Sequence, residues 1–205
     1  MYELVTQILE CIDFISNTMK NELAEIFETW NQCSRVFAGV VEKIKVARRA
    51  PLDTDLLNEF PDIRTKVATK LVGLETEQLG ILEICLKRFS RINECLKNKL
   101  DRINNKLEKI SFKNHMELKH TIHEHALWIE DCWSCFHVFY MQLQFAMMSL
   151  KPSDEESAGK LVEAIIQNEQ DKYTIGRAKM YLHSCKSLLK FLENQSKIKI
   201  TQGHN

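Results

Sequence analysis

The chain has 205 residues, 27% of them charged, with zero formal net charge, six Gly and three Pro. That length suits one domain or one elongated helical unit. So little Gly and Pro, with Glu, Lys, Leu and Ile prevailing, argues against a sandwich or an α/β fold, and zero net charge gives no whole-molecule attraction to nucleic acid or an anionic membrane.

In chain order, the first periodic segment covers residues 2–49. Leu4, Ile8, Ile12, Ile15, Met19, Leu23, Ile26, Trp30, Cys33, Phe37, Val41 and Ile44 step by three and four, the spacing of one helix face. Ser16-Asn17-Thr18 marks a candidate kink, through which the phase continues. Pro51 biases Ala50 away from helix. The linker Leu52 to Phe60 combines turn formers with Leu56, Leu57 and Phe60, so it is expected to fold back on the core. Pro61 suits a first helical turn, and Asp62 suits the positive end of a helix.

The second helix is predicted over 61–110. Its seam is Ile63, Val67, Leu71, Leu74, Ile81, Cys85, Phe89, Ile92, Leu96, Ile103, Leu107 and Ile110, with Gln78 in one gap. A helix of that size would span roughly 75 Å, which implies a long antiparallel hairpin with the first helix or a projection towards a partner. Gly73 and Gly80 fall inside it, each costing about 1 kcal/mol against Ala unless a close helix contact uses them.

Asn114 and Glu117 resemble a capping box for a third helix over 115–150. Leu118, Ile122, Ile129, Cys132, Phe136, Phe139, Leu143, Met147 and Leu150, with His125 in the gap, form its seam. Ala126, Trp133 and Tyr140 form a stripe beside it. This is the most apolar and aromatic stretch, and it reads as the central helix. Its nineteen residues Cys132–Leu150 hold no Asp, Glu, Lys or Arg. A bilayer span is the alternative. Ser134, His137, Gln142, Gln144 and Ser149 interrupt the run, however, and no basic cluster sets an orientation. A buried helix is preferred.

Lys151-Pro152 stops the third helix, and Ser153-Asp154-Glu155-Glu156 is a capping box for a fourth over 154–197. Polar residues near 167–172 allow a break in it, and the tail 199–205 is expected to fray. The fold class is thus all-α: an elongated bundle of four or five helices forming a single domain over 1–198.

Seven cysteines, an odd number, lack a framework spacing. Met1 to Glu10 carries no basic region of the secretory type. A reduced intracellular location, cytoplasmic or nuclear or both, is expected, with most thiols acting as small core groups. His115, His120, His123, His125, Cys132, Cys135 and His137 crowd one stretch, and Cys-x2-Cys is a common half of a zinc site. Cys132 lies on the apolar seam, however, and His120, His123 and His125 point to different helix sides. Glu117-x2-His120 is half of a di-iron bundle motif, and no second Glu-x2-His occurs. No metal or cofactor is therefore expected. Phosphate-loop, dinucleotide, nucleophile-elbow and zinc-protease motifs are missing from the sequence, so an enzyme is not expected either.

The stretch 87–119 carries ten Lys/Arg against four Asp/Glu. It reads as a solvated coiled-coil face, without the interleaved exposed aromatics of a base-stacking surface. Trp30, Phe60, Pro61, Trp128, Trp133, Phe136, Phe139 and Tyr140 are candidate core or partner-interface residues, since three or four long helices offer limited interior. Replacing Phe136 or Phe139 by Asp should abolish folding or partner binding.

Four local features occur in order. They are Asn31-Gln32-Cys33 in the first helix, Phe60-Pro61-Asp62-Ile63 before a very long second helix, Trp128-Ile129-Glu130-Asp131 in the third, and Phe191-Leu192-Glu193-Asn194 in the last. In this order and at this length the chain resembles the AIRIM family of AAA+ ATPase-interacting ribosome maturation factors, over nearly its whole length. The resemblance implies an all-helical, non-catalytic adaptor. Its implied partners are an AFG2-type AAA+ ATPase and a second small helical subunit resembling CINP, with pre-ribosomal particles met indirectly. It implies action in large ribosomal subunit maturation and in clearing replication proteins from chromatin. The chain departs from the family in the third helix, where members carry several Lys/Arg and Cys132–Leu150 carries none, so no basic surface is carried over there. The alternative from another class is a structural coiled-coil subunit of a tethering or cytoskeletal assembly.

Overall fold

The computed structural model describes residues 1–49, 62–112, 116–151, 154–164 and 170–202. Every regular element among these is helical. They are α1 (Tyr2–Asn17), a π-helical segment (Thr18–Leu23), α2 (Ala24–Arg49), α3 (Ile63–Leu107), α4 (Met116–Met148), α5 (Glu155–Glu163) and α6 (Gln170–Gln202). The all-α expectation holds. The linker Leu52–Phe60, Pro61, the Asn114 cap and Ser153 lie outside the described residues. The helix α6 runs on to Gln202, beyond the point where fraying was expected.

The candidate kink at 16–18 is where the π segment begins. Thr18 and Leu23, five apart, are both buried. That is the spacing an i→i+5 turn brings onto one face. Either side of it the seam is unbroken: Leu4, Ile8, Ile12 and Ile15, then Ile26, Trp30, Cys33, Phe37, Val41 and Ile44 are all buried. The cap of α5 is Asp154, one residue on from the expected Ser153. Its carboxylate accepts from the Ser157 amide at 3.0 Å, a bond that satisfies an orphan N–H of the first turn.

The contacts gather the chain into two compact units, Met1–Leu23 with Arg91–Val138 and Asn168–Asn205, and Ala24–Ser90 with Phe139–Gln167. In the first, α1 runs antiparallel to α3: Glu3 pairs with Lys106, and Phe14 lies under Lys99, whose Nζ is 5.4 Å from the ring centroid. Here α4 also runs antiparallel to α3, with Asn93 bonded to His137 at 2.9 Å and Lys97 over the Trp133 ring at 4.7 Å. Tyr181 of α6 fills the core beside His125 and Trp128, with ring centroids at 4.7 and 5.2 Å, and its hydroxyl donates to Glu124 at 3.2 Å.

In the second unit, α2 runs antiparallel to α3. Arg88 grips Glu25 with two bonds of 2.9 and 3.0 Å, and Cys33 lies near Cys85 further along. The long antiparallel hairpin expected from the sequence is thus present. Phe27 and Phe89 meet edge to face at 5.8 Å, Phe139 meets Phe27 at 6.2 Å, and Tyr140 meets Phe89 at 6.2 Å. Such tilted pairs suit the quadrupoles of the rings. Trp30 is fully buried, and its indole N–H donates to the Leu161 carbonyl of α5 at 3.1 Å. Lys45 pairs with Glu155 at the other end of the same helix pair.

Gly73 and Gly80 have nothing within 4 Å of where a Cβ would stand. Among the described residues no close helix contact uses them, so the expected cost against Ala is not offset there.

Candidate functional site

The helix α4 carries the site because it is apolar on more than one side. A helix packed along one face buries a stripe of roughly 100°. Between Cys132 and Leu150 there is no charged residue to occupy the rest. In the second unit Leu143 and Ala146 point into the core, at 1% and 6% exposed. Met141, Phe145 and Met148 stand out at 48%, 73% and 78%. Their spacing of four and three puts them on one outer stripe. Beside it lies a cavity of about 290 Å³, lined by Gln142, Phe145 and Ala146 of α4, by Ser149 just past its end, and by Lys160 and Glu163 of α5. Lys160 is held by Glu156 at 2.7 Å, so the α5 wall of the cavity is charged while the opposite wall is uncharged, with Phe145 and Ala146 between Gln142 and Ser149.

This outer stripe was absent from the sequence reading. The signal was there: a charge-free run longer than one seam can absorb must leave apolar surface. Of the residues proposed as core or interface, Trp30, Trp128 and Phe136 are buried within this chain, while Trp133, Phe139 and Tyr140 are half-buried against their ring partners. Phe60 and Pro61 lie outside the described residues.

The His/Cys group is dispersed. His125 is buried, with Nδ1 bonded to the Thr121 carbonyl, His123 packs on Phe112, and His137 bonds to Asn93. No group of three His, Cys, Asp or Glu that could hold a metal occurs among the described residues. Burial pushes the Cys132 thiol well up, and raises those of Cys11 and Cys185 to about 12. These three thiols stay protonated and poorly nucleophilic at neutral pH. Among the described residues no helix is long and apolar enough to cross a membrane.

With this geometry in hand, comparison with known proteins adds no further assignment: no family model matches the chain, and no curated protein matches it. Of the four segments that carry the resemblance to the AIRIM family, three lie in described helices. Cys33, Trp128 and Ile129 are core residues, and Phe191 is 45% exposed on α6.

Proposed function

We propose that this chain is a non-catalytic adaptor subunit that docks a helix of a partner protein on the Met141–Phe145–Met148 face. The observation that supports this is the exposure of three large apolar side chains in register on a helix stretch without charge. Steps of four and three match the knobs of a second helix. Contiguous exposed apolar surface of this kind characterises sites that bury against another chain.

The partner reading follows from the family resemblance. The adaptor serves an AFG2-type AAA+ ATPase together with a second small helical subunit resembling CINP. The ATPase does the unfolding work. The adaptor presents factors for removal from maturing large ribosomal subunits, and replication proteins for removal from chromatin, in the cytoplasm, the nucleus or both.

The test is affinity purification of the tagged protein from its own cells at physiological salt, beside a Phe145→Asp variant. Stoichiometric recovery of an AAA+ ATPase with the intact chain is expected. The variant should lose at least one of the co-purifying chains while keeping its helical content and melting transition, because Phe145 already faces water. Recovery of the chain alone, or only with other coiled-coil proteins, would replace the adaptor by a structural coiled-coil subunit. A variant that loses its fold would show that the face belongs to the core.

A further inference from the structure

A second surface lies in the first unit, on α3, and its chemistry differs. Arg91, Glu94, Cys95, Asn98, Lys99 and Arg102 line a groove of about 380 Å³. Residues 91, 95, 98, 99 and 102 fall on one helix face. The neighbouring cations of α3 are paired: Arg88 with Glu25, Lys97 with Asp101 at 2.9 Å, and Lys106 with Glu3. Arg91, Lys99 and Arg102 make no ion pair among the described residues, although Lys99 covers the Phe14 ring. Glu94 is likewise unpaired. The groove thus holds three cations against one acid.

We infer that this groove binds an acidic segment of a polypeptide. Arg91 and Lys99 are separated by about 12 Å along the axis, and Lys99 and Arg102 by about 4.5 Å, a span that several carboxylates of an extended or helical segment can meet. Asn98 offers both a donor and an acceptor, as a peptide bond does. A nucleic acid fits less well. The groove lining holds no aromatic ring on which a base could stack. Glu94 repels phosphate, and the molecule's zero net charge supplies no long-range pull on a polyanion. Three cations would also release few counterions. This inference is independent of the helix-docking face on α4 and of the family resemblance.

The test is fluorescence anisotropy with three labelled probes: a twelve-residue Glu/Ala peptide, its Gln/Ala counterpart, and a twelve-nucleotide single-stranded RNA. The full chain should bind the acidic peptide about tenfold more tightly than either other probe at low salt, and added salt should weaken that binding. The double variant Arg91→Glu/Arg102→Glu should weaken peptide binding about tenfold, and Lys66→Glu, an exposed cation elsewhere on α3, less than about twofold. If circular dichroism shows that the double variant is unfolded, Arg102→Gln should still weaken binding by about threefold. RNA binding tighter than the peptide and lost in the same variants would overturn the inference in favour of nucleic acid. No peptide binding, or binding indifferent to these substitutions, would overturn it outright.

Discussion

The two stretches of α3 carry the same pattern and meet different fates. From Leu82 to Ile103 the seam is core: Leu82, Cys85, Phe89, Ile92, Leu96, Leu100 and Ile103 are all buried. From Ile63 to Ile81 the same helix continues with seam residues at the same spacing, yet Ile63, Val67 and Leu74 are 37–43% exposed. Val72, off the seam, is exposed as well. Periodicity reports which face of a helix is apolar. It does not report whether another element of the chain reaches that face.

A buried charge should separate the two stretches most strongly. Leu96→Asp buries an unpaired carboxylate and should leave the chain unfolded, while Val67→Asp should keep the wild-type circular dichroism spectrum. Phe89→Ala, with its two edge-to-face partners, should cost about 3–5 kcal/mol in a denaturant titration, and Val67→Ala under about 1 kcal/mol. An equal cost at both positions would mean that the early stretch is covered as fully as the late one.

Thiol reactivity and glycine replacement should show smaller differences. Cys85 is buried in the seam with its thiol raised by burial, and Cys95 faces water one helix face away. Alkylation followed by mass spectrometry should modify Cys95 well before Cys85, unless the helix opens. In the early stretch, Gly80→Ala and Gly73→Ala meet open space, so each should raise stability by about 0.5–1 kcal/mol. A loss instead would reveal a neighbour at that face.

The smallest effect is acidic. Glu3 and Glu25 are held below the ordinary carboxylate range by hydrogen bonds and charge from Lys106 and Arg88 of α3. Their folded pKa values are lowered, so their contribution is complete above the unfolded carboxylate pKa. It is lost as pH falls through the folded value. The melting temperature should therefore decline below about pH 4, and Glu25→Gln should flatten that decline.

How far the sequence could be read follows the same division. The α1–α2 seam was legible to the residue because every described member meets a partner. The ends of α3 and α4 were placed within three residues at each terminus. Trp128 fell on neither stripe read along α4, yet it is buried, because Tyr181 of α6 reaches it from the side. A partner some fifty residues away leaves no mark in local periodicity. The Met141–Phe145–Met148 face was hidden for the opposite reason: an apolar helix reads as buried all round, and only the packing shows which side is left open. The ten basic residues of 87–119 were visible, but not that the three in the α3 groove make no ion pair among the described residues.

The π-helical segment at Thr18–Leu23 has a consequence for how the gene can change. Such a turn holds one residue more than the α-helix needs. Losing one codon within it should relax the turn to ordinary helix and leave both flanking seams in phase. Losing one codon within α1 would instead turn the residues before it by about 100° against those after it, and a loss within α2 would split the seam Ile26–Trp30–Cys33–Phe37–Val41–Ile44 at that point. Single-residue deletions should therefore survive selection at 18–23 and be purged on either side, so the widest turn of the helix is also its one length-tolerant point.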